Sequence, residues 1–206
     1  MTRAYEWLGV APLVLGIAVG AIQTRAGVPE GLADYERGNY AGAAREFDAA
    51  AKTGDAQAQY LLGLLYLHEL TDPPSPDAAL RLIRAAAEQG HVAAQNELAR
   101  MYRAGDGVDT DPAEMVKWYE QAAEQGDVGA QLLLADVYAY GQGVEKDLVR
   151  AYMWYEIAIQ YWGPLAVRAR DVIGEEMTAE QVTQAVTLAS DWIKKNGTKL
   201  SLGTAD

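Results

Sequence analysis

The stretch MYRAGDGV, residues 101–108, returns as VYAYGQGV at residues 137–144, so a tyrosine followed by Gly-x-Gly-Val recurs after 36 positions. Shifting the whole chain by that interval aligns column after column without a gap. Ala58, Ala94 and Ala130 coincide, as do Gln59, Gln95 and Gln131, then Leu62, Leu98 and Leu134, then Tyr66, Tyr102 and Tyr138. Later in the unit Ser75, Asp111 and Asp147 align, followed by Leu82, Trp118 and Trp154, while Gly54, Gly90 and Gly126 close successive units. A unit this short cannot bury an apolar face alone. It must stack on copies of itself, and that restricts the chain to a repeat array.

Each unit reads as two helices. The first begins near Ala56, Ala93 or Gly129 and ends just past the tyrosine, with apolar positions spaced three and four apart. A small residue at 63, 99 and 135 lets a neighbouring helix approach closely. Gly105, Gly107, Gly141 and Gly143 then supply the positive φ needed to reverse the chain. Asp111-Pro112-Ala113-Glu114 starts the second helix with an N-cap, a proline at the first helical position and an acid able to close a capping box. Ser75-Pro76 and Asp147 are expected to repeat the cap. Trp118 and Trp154 are expected to fill the space between helices, which makes them and the three tyrosines structural.

The first unit departs from the others, with HELTDPPSPD in place of the glycine turn. Before it, residues 38–54 match a second helix alone, and residues 30–37 are expected to form its short partner. After Ala158 the pattern breaks. A helix is expected from Pro164 to about Ile173, and Thr178-Ala-Glu-Gln181 caps a last one running to about Lys195, with Val182, Ala185, Val186, Ala189 and Trp192 on one face. The end of an array exposes an apolar edge, and these two helices are expected to cover it. The organisation is thus an array over 28–162, capping helices over 163–196 and a frayed tail over 197–206.

With its Ala-x-Ala, Leu-Gly, Tyr, Gly-x-Gly-Val, Asp, Trp, Ala-Ala and Gly columns, the chain resembles the Sel1-like repeat family, relatives of tetratricopeptide repeats. Residues 93–126 and 129–162 carry most of the pattern, and 57–90 carry it without Gly-x-Gly-Val. The resemblance implies an all-α fold: an α/α superhelix of about three 36-residue helix pairs, an N-terminal half-repeat and C-terminal capping helices. It also implies a concave face that binds proteins or peptides.

Charge and the chain ends narrow the setting. With 29 acidic against 17 basic residues the formal charge is -12, which argues against nucleic acid as a partner, because phosphates demand clustered Lys and Arg. Residues 7–24 carry no charge and follow Arg3. That layout is expected to be a signal peptide or an uncleaved membrane anchor within residues 1–25, and it places the remainder in the periplasm or on the periplasmic side of the inner membrane. As an anchor, its small residues Gly9, Ala11, Gly16, Ala18 and Gly20 would suit packing against other membrane helices. The chain would then be an accessory subunit or assembly factor of an inner-membrane complex.

The residues offer little for chemistry. There is no cysteine, and the two histidines, His68 and His91, are not arranged with enough ligands for zinc. Asp106, Asp109, Asp111 and Glu114 do not follow a calcium-loop pattern, and no serine sits in a nucleophile elbow. No enzyme, no metal and no cofactor is expected. The functional lead is instead the set of first-helix columns that vary while their neighbours hold: Tyr60, Asn96 and Leu132; Leu64, Arg100 and Asp136; Leu67, Arg103 and Ala139. A varying column is expected to be free of packing duty and to face a groove. Tyr140 stands outside the repeat grammar, as do Tyr161 and Trp162. Tyr60, Asn96, Arg100, Arg103, Leu132, Asp136 and Tyr140 are therefore the candidate partner-binding residues, with Arg100 and Arg103 as anchors for a carboxylate. The expected function is a non-enzymatic scaffold for a protein or peptide partner in the bacterial cell envelope.

Overall fold

A computed structural model describes residues 27–71, 73 and 75–200. Its helices are α1 (Val28–Glu36), α2 (Tyr40–Ala51), α3 (Ala56–Leu67), α4 (Pro76–Glu88), α5 (Val92–Ala104), α6 (Pro112–Glu124), α7 (Val128–Tyr140), α8 (Leu148–Trp162), α9 (Pro164–Gly174) and α10 (Ala179–Leu200). Each helix from α1 to α9 packs on its neighbour in sequence, and α10 turns back onto α8. This is the solenoid that stacked helix pairs must form. The expectations for residues 1–25 lie outside the described residues. Among those described, no helix is long and apolar enough to cross a membrane.

The repeated columns turn out to be the core. Ala58, Ala94 and Ala130 are wholly buried, and so are Leu98, Ala99, Leu134 and Ala135. Tyr119 and Tyr155 fill the interior from α6 and α8, in the column that Phe47 and Ile83 occupy in α2 and α4. Trp118, Trp154, Tyr102 and Tyr138 are each buried to nine-tenths or more, while Tyr66 is half-buried. The buried tyrosines also tie unit to unit. Tyr102 Oη accepts a bond from Arg84 of α4 at 2.7 Å, and Tyr138 Oη donates to Glu120 of α6 at 2.9 Å, where Glu120 holds the column of Arg84.

A second join runs through the glutamine column. Gln59, Gln95 and Gln131 each donate to the carbonyl eight residues upstream, at Ala51, Ala87 and Ala123, with lengths of 3.4, 3.1 and 3.2 Å. Those carbonyls close the preceding second helix and also accept from the N–H of Gly54, Gly90 and Gly126, so each glutamine adds a second bond that crosses the junction between units. Gln89 and Gln125 then donate to the side-chain oxygens of Gln59 and Gln95 at 2.7 and 2.8 Å. Position 161 holds tyrosine in that column, and the buried Gln131 Oε1 has no partner among the described residues.

Caps follow the expected columns with two differences. Asp111 accepts from the backbone N–H groups of Ala113 and Glu114, and Asp147 from that of Arg150. Ser75 holds the same position but makes no side-chain cap bond. Glu114 closes no capping box, because its carboxylate takes the Trp118 indole N–H and Lys117 instead. The first helices are capped too, by Asp55, His91 and Asp127, each accepting from the N–H three residues on. At the reversals, the N–H of Asp111 and Asp147 reaches back to Tyr102 O and Tyr138 O. In the atypical first unit Glu69 occupies the column of Gly105 and Gly141, and it adopts positive φ.

The C-terminal end differs most from expectation. Helix α9 keeps the repeat register, since Ala166 follows Ala130 by one period and is 2 % exposed. It covers α8. Helix α10 extends to Leu200, beyond the expected end, and buries Ala185, Ala189 and part of Trp192. Its Trp192 ring meets Trp154 edge-on at 5.9 Å, while Val186 stays exposed. Because α10 lies on α8, it does not cover α9, and Leu165 and Val172 remain exposed there.

Two outcomes test this account. Gly143 has φ 79, and a Cβ there would lie 2.7 Å from Pro112, whereas a Cβ at Gly54, φ 86, would meet nothing within 4 Å. Gly143→Val should cost about 2–4 kcal/mol and Gly54→Ala about 1 kcal/mol by denaturant unfolding; equal costs would refute the close approach. His91 caps α5 through an unprotonated Nδ1, and burial holds its pKa below the ordinary histidine value, opposed in part by Asp55. The folded state resists protonation more than the unfolded one. The cap's contribution should be full above about pH 6.5 and fall as pH drops below it. His91→Asp, which copies the other two units, should flatten stability between about pH 5 and 7; an unchanged slope would exclude His91 as its source.

Candidate functional site

Helices α3, α5 and α7 present their varying columns on one side of the array. The residues there do not share one environment. Tyr60 of α3 leans toward the next unit, its ring 4.9 Å from that of His91, and burial beside Glu97 pushes its hydroxyl pKa up to about 12. It therefore packs between units, contrary to a column free of packing duty. Leu132 is likewise half-buried against the core. Asn96, between them in register, has a buried Oδ1 with no partner among the described residues.

Arg100 is the centre of an ion cluster. Its guanidinium donates to Glu97 at 2.6 Å and to Asp106 at 2.7 Å, and these bonds hold its pKa above the ordinary arginine value. Two carboxylates already satisfy it, so it is poorly placed to anchor one from a partner. Asp136, one unit later, accepts from the Tyr155 hydroxyl. Burial and that acidic neighbour push the Tyr155 pKa up. Tyr119, one unit earlier, is raised mainly by burial, with Arg103 and Arg100 pulling the other way. A buried tyrosine thus lies beneath a cationic row in one unit and beneath Asp136 in the next.

Two of the candidates are open. Tyr140 is 67 % exposed. Arg103, at the end of the neighbouring first helix, is exposed and has no hydrogen bond or ion pair among the described residues. The side chains of Tyr161 and Trp162 fall outside the description. One row was missed by sequence reasoning. Leu165, Arg168 and Val172 on α9 stand one period after Gly129, Leu132 and Asp136, so they continue this side of the array. The signal was present in Ala166, one period after Ala130, but Arg170 and Gly174 replace the leucine and tyrosine that mark the other units.

Arg84 and Arg150 engage tyrosine hydroxyls, and Asp111 and Glu114 serve the helix start and Trp118. Among the described residues, no group of three or more His, Asp or Glu side chains gathers in a way that could hold a metal ion.

Comparison with known proteins agrees with the geometry. A model of the Sel1 repeat matches residues 56–91, 92–127 and 128–160. A solved Sel1 repeat protein from Oxalobacter formigenes superposes with a TM-score of 0.63 at 27 % identity, covering 84 % of this chain and 72 % of that one. The solved structure of c5321, a protective antigen of uropathogenic Escherichia coli with the same repeat fold, gives a TM-score of 0.55 at 25 % identity over 85 % of this chain. This chain spans 46 % of that protein's length. No curated protein matches significantly. Three consecutive matches cover just over half of the sequence, and the helix pairs they mark are those that carry the alanine, glutamine and tyrosine joins: the chain belongs to the Sel1 repeat family.

Proposed function

We propose that this protein is a non-enzymatic scaffold that holds a protein or peptide partner on the concave side of the array, along α3, α5 and α7. Sel1 repeat proteins generally mediate protein–protein interaction. The observation that carries the reading is the presence of an exposed aromatic and an uncommitted cation near the ends of neighbouring first helices, Tyr140 on α7 and Arg103 on α5. Aromatic and arginine side chains dominate the energetics of protein interfaces. Tyr60, Asn96 and Leu132 form the floor, and Arg100 and Asp136 are held in place by internal bonds, so the surface is rigid before a partner arrives. The acidic overall charge favours a basic or neutral partner at long range. The uncharged run at 7–24 supports a reading of the protein as an exported or anchored scaffold of the bacterial cell envelope.

The test begins with a tagged full-length chain and affinity capture from detergent-solubilised envelopes, with mass spectrometry of the partner and of the bait's N-terminus. Arg103→Glu combined with Tyr140→Ala should then weaken the purified complex by about tenfold or more, equivalent to about 1.4 kcal/mol. Both side chains are exposed, so the melting temperature should stay the same. An unaltered affinity would remove this face from the interface.

A further inference from the structure

Helix α10 does more than cover α8. Its Trp192 ring meets Trp154 of α8, and its next turn reaches the middle unit, where Trp192, Lys195 and Asn196 line one wall of a cavity of about 280 Å³ that is partly open to solvent. The opposite wall is the glutamine join of that unit, Gln95, Gln121 and Gln125, with Glu124 beside them. Asn196 is 7 % and Gln95 2 % exposed, so each wall includes a polar side chain held within the fold. Gln121 departs from the repeat at this place. Its column holds Ala85 in the unit before and Ile157 in the unit after. A glutamine thus replaces an apolar residue in the unit that the end of α10 reaches.

Internal bonds engage only part of these walls. Gln95 donates to Ala87 O at 3.1 Å and to Gln121 Oε1 at 3.3 Å, and it accepts from Gln125 Nε2 at 2.8 Å. Gln125 Nε2 also donates to Gly90 O at 3.1 Å, and Asn196 Nδ2 to Trp192 O at 3.0 Å. Among the described residues Gln121 Nε2 then has no acceptor, and Gln125 Oε1 and Asn196 Oδ1 have no donor. Trp192 Nε1 is buried without a partner among them. Glu124 and Lys195 make no hydrogen bond or ion pair there either. One cavity therefore carries an anion and a cation that do not pair with each other, together with uncommitted amide donors and acceptors.

We propose that this cavity binds a small zwitterion, a free α-amino acid, with its α-carboxylate at Lys195, its α-ammonium at Glu124 and its remaining hydrogen bonds to Gln121, Gln125 and Asn196. A ligand that enters gives up water around each of its charges, so each must meet an opposite charge and hydrogen-bonding groups. An α-amino acid carries both charges a few atoms apart, and this cavity offers one partner for each. A neutral sugar would leave both protein charges unanswered. The size agrees: at about 30 Å³ per water the cavity holds about nine waters, room for a molecule of about that many non-hydrogen atoms. A partner helix, about 10 Å wide, is too large to enter. Because the walls come from different elements, the ligand ties α10 to α6 and stabilises the folded chain. The site shares no residue with the face around Arg103 and Tyr140.

The experiment uses the full chain and the standard free amino acids, read by thermal unfolding and by titration calorimetry. At least one should bind saturably and raise the melting temperature by about 5 °C or more at about 100-fold excess over its Kd. The N-acetyl form of that amino acid lacks the ammonium and its amide form lacks the carboxylate, and each should bind about tenfold more weakly or worse. Glu124→Gln should remove the discrimination against the N-acetyl form and keep that against the amide; Lys195→Gln should do the converse, a split that a merely structural role would not produce. Gln121→Ala, which copies Ala85, should weaken binding about tenfold and leave the ligand-free melting temperature unchanged, since Gln95 keeps its bond to Ala87 O. Arg103→Glu with Tyr140→Ala should leave the affinity within about twofold; loss of binding there would move the ligand to the other face. No saturable binding up to about 10 mM, equal binding of the blocked forms, or full affinity in the Gln121→Ala variant would overturn the proposal. Tighter binding of a neutral sugar such as N-acetylglucosamine, lost in Gln121→Ala, would overturn it in favour of a carbohydrate site.

Discussion

The structure depends on a bond between units: a glutamine in the first turn of each first helix donates to a carbonyl at the end of the helix before it. Those carbonyls already accept from the backbone N–H of Gly54, Gly90 and Gly126, so each glutamine adds a second bond, and it is this second bond that crosses from unit to unit. The wholly buried alanines at 94 and 130, one residue before Gln95 and Gln131, allow the approach. The hydrogen bond and the close packing require each other, since a larger side chain at Ala94 or Ala130 would push the donor out of reach. That coupling explains why the two columns repeat together while neighbouring ones drift.

Much of this was legible in the sequence because a solenoid is built from nearest-neighbour contacts. Period, helix pairing, N-caps at Asp111 and Asp147 and the glycine reversals each rest on a few consecutive residues, and all were found where the columns placed them. What failed depended on competition for a single group. Glu114 could close a capping box by its spacing, but the Trp118 indole N–H and Lys117 reach the same carboxylate. Ser75 occupies the cap column without making the bond. Such contests are settled by side-chain directions, which spacing does not encode.

The candidate face was legible in outline and misjudged in detail. Variation among Tyr60, Asn96 and Leu132 suggests freedom from packing when only the sequence is read. It reflects different solutions to one packing problem instead: an aromatic ring on His91, an amide with a buried oxygen and a half-buried leucine. Arg100 and Asp136 vary for a similar reason. One answers Glu97 and Asp106, the other a tyrosine hydroxyl. A column can change its residue whenever its local partners change with it. Freedom from internal partners is a stricter sign of an available surface, and it selects Arg103 and Tyr140.

The same criterion explains why the last unit was hard to read. Helix α9 keeps the buried alanine of the register and discards the leucine, small residue and tyrosine that face a second helix. Those three are needed only where a second helix packs, and α10 has gone to α8. With no second helix to pack on it, position 170 holds an arginine that bonds Glu156 and stacks on Tyr152. Ending an array therefore changes the very columns by which a repeat is recognised.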